Sequence, residues 1–229
     1  MQIKNTELVK WIALILMVGD HINKYLLNNA MPFLYNAGRV AMPLFFFVLA
    51  YNLSRPDSLK NNIYIRVSHR LFIFGVISTP AYILLGGVID GWWPLNILFT
   101  LLSLSVTCYL LEQGQGREMF YAFLFFALSG SVVEFWWPAI AMGVCFWLYH
   151  RNGENIFLFL SLIFCSTLAL INHNFYALLA VPVLILAGNM SLVVHRMKWL
   201  FYVFYPLHLY LILVFRTYLT SKGYLFFTW

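Results

Sequence analysis

Residues 8–27 read LVKWIALILMVGDHINKYLL, an apolar stretch of the length that crosses a bilayer as a helix. The rest of the chain has the same character: of its 229 residues, 62% are hydrophobic, 19% are aromatic and only 10% are charged. Soluble globular domains carry about 25% charged residues, so no water-soluble packing could cover this much apolar surface. The composition excludes soluble enzymes, coiled coils, disordered chains and disulfide-rich secreted domains, and it predicts an all-α integral membrane protein.

Further apolar runs follow the first, and each is a candidate transmembrane helix. They cover about residues 38–53, 71–88, 93–111, 119–129, 135–149, 156–171, 175–187 and 199–219. A helix needs about 20 residues to span the hydrocarbon core, so the paired runs within 119–149 and 156–187 are marginal in length. We expect one membrane-embedded domain over residues 1–229, a polytopic bundle of about nine transmembrane helices, or eight if one short pair is re-entrant.

Basic residues are unevenly distributed over the connections, and this predicts the orientation. The connections that contain Lys or Arg fall on one expected side, namely 54–70 and those around Arg117, Arg151, Arg196 and Lys198. The connections near residues 90, 134 and 172 contain neither. Short cytoplasmic loops are enriched in Lys and Arg, so we expect a cytoplasmic N-terminus. The net charge of +6 then marks cytoplasmic loops, and no nucleic-acid partner is expected.

Asp20, His21 and Lys24 are ionisable residues past the middle of the first apolar run. A charge at the centre of a span costs about 2.5–3.5 kcal/mol on insertion scales, so such residues are candidates for function. Asp20 and Lys24 are four residues apart with the acid first, the favourable order for a helical ion pair. His21 projects about 100° away from Asp20, so a residue of a different span can orient its imidazole. Imidazole suits proton transfer, although a neutral histidine could also serve only in helix packing.

The second run begins with an arginine and a proline, in the stretch AGRVAMPLFFFVLAYNLSR (37–55). Pro43 removes the hydrogen bond to the carbonyl of Arg39 and is expected to kink the helix. Arg39 could simply extend to the membrane interface. Beside a kink and on the same expected side as His21, it could instead bind an anion or an oxyanion.

The second run ends at Asn52 and leads into the basic connection. Setting the membrane topology can be the single role of such a connection. Any substrate bound there should be anionic, and a nucleotide with several phosphates, such as a coenzyme A thioester, would suit the arginines Arg55, Arg66 and Arg70 together with Lys60.

Two residues of later spans complete the set of candidates. Asn96 lies near the start of the fourth run, where interhelical hydrogen bonding is the simplest role. His208 lies in the last run, just after Pro206, and together with His21 it suggests a proton-handling cavity. The sequence contains no HExxH pattern and no Cys/His cluster, so no metal is expected. It also lacks the GxSxG elbow of serine acyl hydrolases.

The N-terminal half resembles the TraX family, the membrane acetyltransferases of conjugative plasmids. The resemblance rests on KWIALILMVGDHINKYLL (10–27), AGRVAMPLFFFVLAYNLSR (37–55) and NILFTLL (96–102), in that order and spacing. The last run, FYVFYPLHLYLI (201–212), is similar to the histidine-bearing final helix of the family. The pattern of His followed by Arg and Pro-Leu-Phe is also similar, more loosely, to the acyltransferase-three superfamily.

The resemblance implies an acetyl-CoA-dependent enzyme of the bacterial inner membrane that acetylates the N-terminal amine of conjugative pilin. Our hypothesis is that His21 acts as general base or carries the acetyl group as acetyl-imidazole. Arg39 would stabilise the oxyanion, Asp20 and Lys24 would tune His21, and His208 would be a secondary member of the site.

The donor, acetyl-CoA, is expected to bind through the basic connection and thread its pantetheine arm into the bundle. The residues assigned to substrate or cofactor binding, besides Lys24 and His208, are Asn52, Arg55, Arg66, Arg70 and Asn96.

Three alternatives remain compatible with the residues. The same chemistry could serve another acceptor, through O-acetylation of a surface polysaccharide. Intramembrane Asp, His and Arg also suit a small proton-coupled transporter, although no repeated halves are visible. The chain could finally be a non-catalytic chaperone for pilin insertion, in which case substitutions at Asp20, His21 and Arg39 would have no effect.

Overall fold

The computed structural model describes residues 5–114, 116–192, 194–195, 197 and 199–226, and this part of the chain is all-helical. Arg196 and Lys198, which contribute to the predicted orientation, lie outside the described residues. The helices are α1 Thr6–Leu26, α2 Pro32–Gly38, α3 Ala41–Leu53, α4 Ile63–Leu84, α5 Ile97–Gln113, α6 Gly116–Gly130, α7 Trp136–Asn152, α8 Asn155–Thr167, α9 Ala169–Asn172, α10 Ala180–Asn189 and α11 Leu200–Ser221. A 3-10 turn, Tyr176–Leu179, precedes α10.

Every predicted apolar run overlaps helical structure, which confirms the all-α class, and α4 begins at Ile63, inside the predicted basic connection 54–70. Four helical stretches of the described residues are long and apolar enough to cross a membrane: Pro32–Leu53, Ile63–Leu84, Asn155–Asn172 and Leu200–Ser221. Helix α1 has 21 residues but is more polar, because it carries charged side chains along its length. Helix α5 and the segment Tyr176–Ala187 are apolar but shorter. The count of nine crossings therefore stays a prediction.

Local sequence signals determine where the helices that hold the site begin. The side chain of Asn5 accepts a hydrogen bond from the Leu8 amide at 3.0 Å and caps α1. Pro32 opens α2, where its missing N–H group is not needed. Asn96 caps α5 by accepting from the Leu98 amide at 3.1 Å.

Helix α3 lies at the centre of the bundle. It packs against α1, α5 and α7, and nine of its 13 residues are buried. On one side α4 packs against α5 and α11, and on the other α7 packs against α8. Large apolar side chains stay exposed on the outer faces of α4, α6 and α11, as expected where lipid replaces water around the bundle. The site lies on the inner side, where α1, α3, α4 and α11 face one another.

Contacts between connections define two ends of the bundle. We call the end where α3 joins α4, through residues 54–62, the basic end. There Arg151 and Glu112 form an ion pair at 2.5 Å. At the opposite end, the Leu95 amide donates to the Val132 carbonyl at 2.8 Å. Each contact joins two connections that the charge pattern places on the same side. Which end faces the cytoplasm stays a prediction.

Candidate functional site

A cavity of about 750 Å³ runs through the bundle from the basic end toward the opposite end. It lies between α1, α3, α4 and α11, and the turn 131–135 contributes to its wall near the opposite end. Eight of the predicted site residues line it: Asp20, His21, Lys24, Arg39, Asn52, Arg55, Arg66 and Arg70. The structure therefore brings together residues that are separated by up to 50 positions in the sequence.

Asp20 forms an ion pair with Arg39 inside the cavity. The carboxylate Oδ2 accepts a hydrogen bond from Nη2 of Arg39, and both side chains are largely buried. The helical pair with Lys24 that the spacing favours does not form within 4 Å in the described residues, because Arg39 arrives from the α2–α3 junction. Gly38 makes this approach possible, since a Cβ atom there would lie 2.6 Å from Asp20 Cγ.

Arg39 is held in place by three residues, Asp20, Tyr35 and Asn172. Besides its bond to Asp20, its Nε donates to the Tyr35 carbonyl and its Nη1 to Oδ1 of Asn172, both at 3.3 Å. Its guanidinium carbon lies 4.4 Å from the centroid of the Tyr35 ring. Asn172 is buried and was not identified from the sequence, because no pattern indicates that the turn after α9 reaches α2.

The two intramembrane histidines are hydrogen-bonded to each other. His21 Nδ1 and His208 Nε2 are 2.7 Å apart, and the ring planes are inclined by only 8°. His208 Nδ1 lies 2.9 Å from the Phe204 carbonyl oxygen, which can only accept. This fixes the tautomers of a neutral pair: His208 donates from Nδ1 and accepts at Nε2 from the Nδ1–H of His21. The lone pair of His21 Nε2 is then left for the cavity.

The arginines at the basic end are available for an anionic ligand. Arg66 and Arg70 are one turn apart on α4 and therefore share a face. Arg55 stacks against the Tyr51 ring at 5.3 Å and Arg70 against Trp199 at 4.3 Å. In the parts of the chain that the structure describes, no acidic side chain lies within 4 Å of Arg55, Arg66 or Arg70. Lys60 lines a separate surface depression.

Comparison with known proteins identifies the family. The family model described as TraX protein matches residues 5–216, which include α1, the α2–α3 junction and His208 of α11. The chain belongs to the TraX family. Two Escherichia coli relatives named Protein TraX are similar over 126 residues, at 34% identity and, for strain K12, at 32%.

The aligned region covers 55% of this chain and 48% of each of these TraX relatives. The match therefore extends over about half the length of the curated relatives. No solved structure matches the chain.

Asn96, unlike eight of the ten predicted site residues of this TraX-family chain, does not line the cavity. It is 1% exposed, and its Nδ2 donates to the Gly75 carbonyl at 3.0 Å and to Thr79 Oγ1 at 3.2 Å. It therefore ties α5 to α4, which is the interhelical role that the sequence indicated. Its assignment to substrate or cofactor binding stays a prediction, and its side chain is engaged by α4 and by the Leu98 amide. His208 lies behind His21, one layer away from the cavity.

Glu134 is a cavity residue that the sequence did not single out for a site. It lies in the turn between α6 and α7, and its Oε1 accepts a hydrogen bond from the Tyr82 hydroxyl at 3.0 Å. Burial raises the pKa of the Glu134 carboxyl, and the charge of Lys24 and the Tyr82 hydroxyl oppose that rise. The sequence feature that could have indicated Glu134 is an acidic residue between two short apolar runs.

The arrangement combines three chemical capacities along one path. The basic end can bind phosphates, the imidazole of His21 can accept a proton or attack a carbonyl carbon, and Arg39 can donate to an oxyanion. Three of the five N–H groups of Arg39 are engaged by its neighbours, which leaves two for a ligand. Among the described residues, no group of three His, Cys, Asp or Glu side chains could hold a metal ion.

Proposed function

We propose that this chain is an integral membrane acetyltransferase that moves an acetyl group from cytoplasmic acetyl-CoA to the N-terminal amine of conjugative pilin. Membership of the TraX family supports a role in conjugation. The observation that carries the chemistry is the continuous cavity between the arginines of the basic end and the imidazole of His21.

The donor binds with its phosphates at the basic end, which faces the cytoplasm of the inner membrane in this proposal. Arg55, Arg66 and Arg70 pair with the phosphate groups, and Asn52 lines the passage inward. Arg39 and Arg55 are 16 residues apart, which corresponds to about 24 Å of helical rise. A long flexible pantetheine arm suits this separation, because it can carry the thioester from the phosphate subsite to the imidazole.

The transfer step uses the free lone pair of His21 Nε2. The acceptor nitrogen attacks the thioester carbonyl carbon while Nε2 takes its proton, the C–S bond breaks, and the imidazolium returns the proton to the departing thiolate. In the covalent variant Nε2 itself attacks, forming acetyl-imidazolium with loss of the thiolate. The amine then displaces the imidazole, and its proton passes to Nε2 and on to the thiolate. Both routes pass through a tetrahedral oxyanion.

Arg39 stabilises that oxyanion with the N–H groups its neighbours leave unused. Donors placed in this way contribute about 3–4 kcal/mol at comparable sites. Asp20 and Asn172 act as positioning residues, because they fix the guanidinium before the substrate arrives.

The direct test is intact mass spectrometry of pilin from conjugative cells. Wild-type protein should give pilin heavier by one acetyl group at the N-terminus, and His21→Ala should give unmodified pilin. His173→Ala is the matched control, because His173 is an exposed histidine of the opposite end. Equal levels of each variant in membranes are checked by immunoblot.

Two results would contradict the proposal. If His21→Ala leaves pilin acetylated, the imidazole is not the catalytic group. If the wild-type protein leaves the mass of pilin unchanged, the acceptor is wrong, and surface glycans are then examined for acetyl groups.

A further inference from the structure

The backbone of Glu134 is anchored independently of its side chain. Its amide donates to the Leu95 carbonyl at 3.0 Å, and its carbonyl accepts from the Thr100 hydroxyl at 3.0 Å. These bonds hold the turn 131–135 against the start of α5. The carboxyl group is therefore presented to the cavity by a rigid support, with Oε1 fixed by Tyr82.

The charges at this end of the cavity leave one carboxylate without a direct cationic partner. Asp20 and Arg39 pair with each other. Within the described part of the chain, no Lys, Arg or His nitrogen lies within 4 Å of the Glu134 carboxylate. Lys24 lines the same cavity and influences Glu134 only over a longer distance. A carboxylate fixed in a cavity without an ion-pair partner is suited to bind a cationic group of a ligand.

We infer that Glu134, oriented by Tyr82, binds the protonated amine of the acceptor at the inner wall of the cavity near the opposite end. This inference rests on the proposed function for the identity of the acceptor. It adds the residue that recognises the acceptor, and it requires a primary ammonium group, as opposed to the neutral hydroxyl group of a sugar.

The position of Glu134 suits delivery of the acceptor nitrogen to His21. Tyr82 packs in one buried cluster with Tyr25 and Tyr205. The rings of Tyr25 and Tyr205 lie 5.6 and 6.3 Å from the His21 ring. An ammonium bound at Glu134 is therefore separated from the imidazole by one layer of tyrosines around a shared cavity. The donor subsite is at the basic end, so donor and acceptor do not compete for space.

The protonation state of the acceptor explains why a carboxylate is useful there. An α-amino group has a pKa of about 7.7–8.0, so most of it is charged near neutral pH. A hydrogen bond to a charged partner contributes about 1.5–3 kcal/mol, more than one between neutral groups. A charged amine is therefore selected from the bulk, and a neutral hydroxyl acceptor gains no comparable interaction. Before the attack, the bound ammonium passes its extra proton to the Glu134 carboxylate, and the neutral amine that results is the nucleophile.

The test is direct binding of two peptides to the full-length chain in nanodiscs. One peptide has a free α-amine, and the other has the same sequence with an N-acetyl group. Wild-type protein should bind the free-amine peptide about 10- to 100-fold more tightly than the acetylated one. Glu134→Gln should lose this preference, because it removes the charge while its amide oxygen still accepts from Tyr82. Glu134→Asp, which retains the charge, should keep part of it.

Asp90→Asn is the matched control, because Asp90 is an exposed carboxylate of the opposite end that does not line the cavity. This variant should keep the wild-type preference. If wild-type protein binds both peptides equally, or if Glu134→Gln keeps the preference, the inference is wrong.

Acetyl transfer is measured separately on the same proteins. A lost preference in Glu134→Gln with no acetyl transfer by wild-type protein would support the amine site and overturn the proposed function. Acetyl transfer by wild-type protein, together with an unchanged KM for the free-amine peptide in Glu134→Gln, would support the proposed function and overturn the amine site.

Discussion

The close approach of α1 to the α2–α3 junction predicts that Gly38→Ala destabilises the protein. The added Cβ would lie 2.6 Å from Asp20 Cγ, 2.9 Å from Oδ1 and closer still to Asp20 Cβ. Atoms so near the backbone cannot rotate away, so the helices must separate. Overpacking of this kind costs about 1–3 kcal/mol. The gain in helix propensity is at most about 1 kcal/mol, and less here because Gly38 is the last residue of α2.

Gly19→Ala provides the matched control in the same interface. Its added Cβ would lie 3.4 Å from Leu34 Cδ2, an ordinary van der Waals contact with a flexible side chain. We expect this variant to melt at or above the wild-type temperature.

Thermal unfolding in detergent, followed by the fluorescence of the eight tryptophans, measures the difference. For a chain of this size, 1–3 kcal/mol corresponds to a fall in Tm of roughly 2–12 °C. The Asp20–Arg39 pair should also be displaced, so acetyl transfer should fall in Gly38→Ala and persist in Gly19→Ala. If Gly38→Ala melts no lower than Gly19→Ala, α1 and α2 do not approach each other as described.

Three further predictions concern the groups around His21 and Arg39. His208→Ala removes the acceptor for the Nδ1–H of His21 and should lower kcat about 10-fold with little change in KM. His208→Gln, whose amide oxygen can still accept, should restore part of the rate. Equal rates for the two variants would refute the tautomer assignment. Asn172→Ala should lower kcat several-fold without changing the affinity for acetyl-CoA, because only the Arg39 guanidinium loses a contact; weaker acetyl-CoA binding, measured by calorimetry, would count against this role. Asp20→Asn leaves Arg39 without its partner and should lower the free energy of unfolding by about 3 kcal/mol. The double variant with Arg39→Gln should melt higher than Asp20→Asn alone. If it does not, the pair contributes nothing to folding.

The sequence predicted the helical class and the level of the site along α1, since both depend on hydropathy and on charges within single runs. The angular offset of His21 from Asp20 correctly indicated that a different span orients the imidazole, and His208 lies within hydrogen-bonding distance of it. The ion-pair partner that the spacing favoured for Asp20 was wrong, because a residue outside α1 takes that place as well. Spacing within one helix favours Lys24, whereas Arg39 belongs to a neighbouring element whose approach depends on Gly38.

Asn172 and Glu134 could not be assigned from the sequence, because Asn172 ends the short helix α9, Glu134 lies in a turn, and both meet other helices at the opposite end. Periodicity gives the face of a helix but does not say which turns are neighbours. Asn96 shows the converse case. A polar residue at a helix start is explained by capping alone, and the structure gives it that role together with a bond to α4.

The hydrogen-bond chain from His21 through His208 ends at the Phe204 carbonyl, and a carbonyl oxygen has no proton to pass on. A proton taken up by Nε2 of His21 therefore has no exit through α11 and must leave by the route along which the substrates came. The hydrogen bonds of α11 therefore give no proton path of their own between the two ends of the bundle.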